Sequence, residues 1–73
     1  MALAEQVLIS LRSHVEGVST EADGTRWGSV YLDNARIPGV SSRSFRSCLA
    51  ALAKQGFYKP VDGYAFGDVL LES

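Results

Sequence analysis

The stretch SSRSFRSCLAALAKQGFYKPVDGYAFGDVLL (residues 41–71) holds two periodicities in succession, first helical and then strand-like. From Ser42 to Gln55 the larger apolar residues are Phe45, Cys48, Leu49 and Leu52, at i, i+3, i+4 and i+7. That spacing is the stripe of a helix packed on a core. At about 100° per residue, Arg43, Arg46, Ser47, Ala50 and Lys54 share a neighbouring face that carries only positive charge and small side chains. Ser41 or Ser42 can cap the first turn, because a serine oxygen accepts a hydrogen bond from an otherwise unpaired N–H group. Gly56 supplies the left-handed residue that commonly ends a helix, and Lys54 complements the negative end of the helix dipole.

Beyond Gly56 the pattern shortens. Residues 57–61 read as a strand, Asp62-Gly63 as a turn pair that tolerates positive φ, and residues 64–71 as a second strand, which together make a hairpin over 57–71. Pro60 cannot donate to a ladder and points to a sheet edge, and Gly67 points to a bulge.

Working towards the amino terminus, Pro38-Gly39 forms a turn ahead of this helix. Residues 27–37 carry two patterns at once. As a helix, Trp27, Val30, Tyr31 and Asn34 align at i, i+3, i+4 and i+7 behind a Thr25 cap; as a strand, Trp27, Ser29, Tyr31 and Asp33 alternate with their neighbours. Local composition favours strand, whereas a scaffold helix before the basic helix favours helix, and helix is the expectation adopted. Residues 16–25 read as a loop with Asp23-Gly24 as a turn, and Val18 as a residue that touches the core or joins a short strand. Ala2 to Val15 is a second amphipathic helix with Leu3, Val7, Leu8, Leu11 and Val15 on one side.

The 73 residues make one domain, 1–73, near the lower limit for unaided folding. A hydrophobic content of 47%, with Trp27, three tyrosines and three phenylalanines, argues against disorder. Dimerisation would bury more apolar surface. Cys48 is a single cysteine on the core side of its helix and reads as a small buried hydrophobe. No apolar run reaches the roughly 20 residues of a membrane span, so the expectation is a cytoplasmic protein without membrane contact.

The formal net charge is −1, but it is unevenly distributed. Residues 37–61 hold Arg43, Arg46, Lys54 and Lys59 and no acid, whereas the flanking segments are both acidic. Such a partition orients a module on a polyanion more effectively than the total suggests. Catalysis is not indicated: one histidine, one cysteine and scattered carboxylates form no nucleophile–base pair, no metal-ligand spacing and no glycine-rich phosphate loop. No cofactor is expected.

With these elements in order, the chain resembles the winged helix-turn-helix superfamily, in particular small bacterial or phage DNA-binding regulators. The resemblance rests on Pro38-Gly39-Val40-Ser41-Ser42 as turn and helix start, on Phe45, Leu49 and Leu52 as inward positions, and on Leu52 to Tyr58 leading into the hairpin. It covers about residues 27 to 71. It implies an α+β fold of three helices with a C-terminal β-hairpin wing, and a function in transcriptional or phage-type regulation. It implies that helix 42–55 enters the major groove of double-stranded DNA and that the hairpin tracks the backbone. By position, Arg43, Ser44, Arg46 and Ser47 would face the groove, Ala50 would permit close approach, and Lys54, Lys59 and Tyr64 would touch phosphate or sugar. Arg43 and Arg46 are the base-reading candidates, since arginine pairs with guanine through two hydrogen bonds. The acidic pI near 5.6 and Asp62 at the wing tip depart from that pattern. The alternative is a winged-helix protein-interaction module, an adaptor, inhibitor or assembly subunit, with some of the aromatic residues exposed as anchors.

Overall fold

Two α-helices lie on one face of a four-stranded antiparallel sheet in the computed structural model, which describes residues 1–63 and 65–72. In chain order the elements are α1 (Leu3–Ser13), β1 (Gly17–Thr20), β2 (Arg26–Tyr31), a 3-10 turn (Leu32–Ala35), α2 (Ser42–Lys54), β3 (Tyr58–Asp62) and β4 (Phe66–Glu72). The strand order is β1-β2-β4-β3, so two sequential hairpins join through the β2–β4 ladder. The class is α+β.

The basic helix forms where its sequence predicts. Ser41 caps it by accepting from the Ser44 N–H at 3.1 Å. Gly56, at φ 87°, ends it. The Gly56 N–H donates to the Ala53 carbonyl and the Phe57 N–H to the Leu52 carbonyl, the double closure of a Schellman end. Phe45, Cys48, Leu49 and Leu52 are all buried. Beneath them lie Val7 and Leu11 of α1 and Val30, Tyr58 and Val69 of the sheet. Truncating one of these aliphatic side chains to alanine costs about 2–5 kcal/mol, because the cavity left behind relaxes only in part.

The expected helix over 27–37 is absent. Residues 26–31 are the strand β2, and helical geometry within 27–37 is confined to the one-turn segment Leu32–Ala35. The expectation of three helices is therefore corrected to two α-helices and a 3-10 turn. Two terms decide against the helix. Gly28 is costly inside a helix, and β2 gains a ladder on each side, from β1 and β4. Gly28 also serves the sheet directly. A β-carbon there would stand 2.6 Å from Cγ2 of Val15, which packs over the strand as the chain leaves α1. Thr25 does not cap a helix; its N–H donates to the Asp23 carboxylate at 2.9 Å within the β1–β2 turn.

The expected loop over 16–25 begins with β1, in which Val18 pairs opposite Gly28. Its turn is a three-residue hairpin loop: the Gly24 N–H donates to the Glu21 carbonyl and the Glu21 N–H to the Thr25 carbonyl. Gly24, at φ 89°, supplies the left-handed residue that such a loop requires. Pro60 sits on an edge strand as expected, but the bulge lies between Pro60 and Asp62 on β3 rather than at Gly67. Gly67 is small for another reason: a β-carbon there would meet the Tyr58 ring, with Cζ at 2.5 Å.

Candidate nucleic-acid interface

The outward face of α2 carries Arg43, Ser44, Arg46, Ser47, Ala50 and Lys54, and all six are exposed. They share one surface because the apolar stripe on the other side of the helix fixes its rotation against α1 and β3. The first turn contains no acid and the last turn contains Lys54. Ser44 is partly committed to the helix start, since its hydroxyl receives a hydrogen bond from Ser41 at 3.1 Å.

Arg36 extends this surface and was not among the candidates drawn from sequence. Its guanidinium lies 5.2 Å from the Phe45 ring centroid and donates to Ser42 Oγ at 3.0 Å. A cation is thereby held beside the amino-terminal turn of α2. The signal was the aromatic at residue 45, but only the folded turn at Ile37–Val40 brings Arg36 back to it. In that turn the Val40 N–H donates to the Ile37 carbonyl with Gly39 at φ 85°. A hollow of about 60 Å³ between Arg36, Ser42 and Arg46 also contains Asp33, which lowers the local positive potential.

Between α2 and β3 runs a groove of about 390 Å³ lined by Arg46, Leu49, Ala50, Ala53, Tyr58, Pro60 and Gly63. Ala50 and Ala53 open it by being small. Tyr58, at its base, is 4% exposed and its buried hydroxyl has no hydrogen-bond partner among the described residues. Burial, reinforced by the Asp68 carboxylate, pushes the phenol above its ordinary value near 10.

Lys59 does not join the α2 face. Strand alternation places it on the other side of the sheet, where its ammonium lies 4.0 Å from the Trp27 ring centroid and 3.2 Å from Glu21 Oε1. Tyr64, the remaining candidate, lies outside the described residues. Among the described residues no cluster of histidine, cysteine and carboxylate groups could hold a metal ion. The ring Nδ1 of His14 lies 2.8 Å from the Ser10 carbonyl, which can only accept, so this nitrogen carries the hydrogen and ties His14 to the end of α1. Cys48 is buried and free. Also among the described residues, no helix is long and apolar enough to cross a membrane. Compared with known proteins, the chain matches no family model, no curated protein and no solved structure.

Proposed function

We propose that this domain binds double-stranded DNA through α2, with the β3–β4 hairpin beside it acting as a wing, in the manner of a small transcriptional or phage-type regulator. The observation that carries the reading is the acid-free, solvent-exposed α2 face, with Arg43 and Arg46 in its first half and Ala50 between them and Lys54. An arginine fork matches the acceptor pair on guanine, and small neighbours let the helix axis sit close to the groove floor. Arg36 and Lys54, at the two ends of the helix, suit phosphate contacts. Of the acids, Asp23 lies in the β1–β2 turn and Glu21 is paired with Lys59 on the side of the sheet away from α2, whereas Asp33 beside Arg36 and Asp62 at the end of β3 reduce the positive potential next to the α2 face.

The test is a selection from random-sequence duplexes at low salt, followed by titration of the enriched sequence. A preferred site should emerge, with affinity falling as salt rises at a log–log slope of about −3, as expected for three or four neutralised phosphates. Replacing Arg43 and Arg46 together by alanine should abolish binding. If no duplex is retained, the DNA reading is overturned.

The second reading, a protein-interaction module, is favoured by one feature, the mostly apolar groove along Leu49, Ala50, Ala53 and Pro60. It would take over if the duplex selection fails.

A further inference from the structure

The two edges of the sheet are unlike. On β3 the edge is blunted by Lys59, Pro60 and the bulge before Asp62, three devices that discourage pairing with another chain. On β1 there are none: Gly17-Val18-Ser19-Thr20 has no charge and no proline, and all four residues are exposed. The Glu21–Thr25 hydrogen bond sets the phase of the β1–β2 ladder. Ladder bonds recur at every second residue, so the N–H and C=O groups of Val18 and Thr20 point away from β2.

At the start of this edge the structure holds a notch of about 270 Å³, lined by Glu16, Gly17, Ser29, Val30, Tyr31 and Phe66. One wall is aromatic. Tyr31 is 55% exposed, and the Tyr31 and Phe66 rings sit 5.9 Å apart at a tilt of 56°. Glu16 supplies a carboxylate, and among the described residues none that lines the notch is cationic. The same sheet already shows what this combination accommodates, since Lys59 rests over Trp27 with Glu21 alongside. An aromatic face beside a carboxylate attracts a cation through both the ring quadrupole and direct charge.

We infer that β1 and this notch together form a docking site for an extended segment of a partner protein that carries arginine or lysine. The segment adds as a fifth strand, pairing with Val18 and Thr20, and places one cationic side chain between Tyr31, Phe66 and Glu16. Main-chain bonds supply affinity and the notch supplies selectivity, the division found in strand-addition complexes. A second copy of this chain is a poor occupant, because antiparallel pairing of two β1 edges sets Glu16 and Glu21 of each copy on neighbouring strands. The site is separate from α2 and does not rest on the DNA reading.

The test is selection of random octapeptides displayed on phage against the whole 73-residue chain, followed by amide NMR with the synthesised winner. Enriched peptides should carry Arg or Lys among apolar or β-branched residues, and the amides of Val18 and Thr20 should move most. Val18→Pro removes an outward N–H without touching the β2 ladder, so it should weaken the peptide by about tenfold with an unchanged circular dichroism spectrum. Should that variant unfold, Tyr31→Ala and Glu16→Lys, both at exposed positions, carry the test and should each cost about fivefold or more. Failure to enrich basic peptides overturns the proposal. So do amide shifts confined to α2, binding indifferent to all three substitutions, or a concentration-dependent dimer that Val18→Pro abolishes.

Discussion

Lys59 and Trp27, 32 positions apart in sequence, stack with the ammonium 4.0 Å from the ring centroid on the side of the sheet away from the helices. The pairing removes one of the four cations of residues 37–61 from the α2 surface and commits it to structure. Lys59→Ala should therefore leave DNA affinity within about twofold and shift the emission of the single tryptophan. The stability cost should be about 0.5–1 kcal/mol by chemical denaturation, the usual size of a partly exposed cation–π contact. A tenfold loss of DNA affinity would instead place Lys59 in the interface.

Removing Arg43 alone should weaken every duplex and reduce the magnitude of the salt slope by about 1 if it contacts phosphate. If it reads a base, Arg43→Ala should relax preference at one position at a cost of about 1–3 kcal/mol. Parallel titrations on the selected duplex and on single-base variants of it separate the two cases.

Tyr58→Phe should stabilise the domain by about 1–2 kcal/mol near neutral pH, because it deletes a buried hydroxyl that has no partner among the described residues and keeps the ring. The effect should grow in alkali. A phenol whose folded pKa is raised contributes stability that is complete below its unfolded value near 10 and is lost as pH rises through the folded value. Urea titrations from pH 7 to 11 should show the parent weakening at the alkaline end and the variant weakening less.

Gly67→Ala should cost about 1–3 kcal/mol, since a methyl group there must displace the Tyr58 ring from a close-packed position. A thermal melt with no change would mean that the ring can yield without loss.

Ser41→Ala should cost about 1 kcal/mol by removing the cap that receives the Ser44 N–H. Hydrogen exchange should show the loss concentrated in the first turn of α2, ahead of Phe45.

Local chemistry made α1, α2 and the last hairpin legible in the chain. Their apolar stripes, the Ser41 cap, the Gly56 stop and the Gly63 turn each act within a few residues of themselves, although Asp62, expected as half of that turn, ends β3 instead. Residues 26–31 were not legible in this way, because Trp27, Val30 and Tyr31 satisfy both periods and the choice turns on β4, some 40 positions away. The interface divides similarly. Arg43, Arg46, Ala50 and Lys54 could be placed on one face from helix geometry alone, whereas Arg36 joins them only through the Ile37–Val40 turn. Lys59 leaves them through strand alternation, which sequence charge counting does not register.

Sequence alone thus determined the presence of a basic, capped helix whose apolar side must be buried, since 3.6-residue geometry and helix-end chemistry are properties of the local chain. Tertiary structure decided that the preceding segment is a central strand, which cations share a surface, and that one sheet edge is blunted while the other stands open. Those outcomes depend on hydrogen bonds and side-chain contacts between segments that meet only after folding.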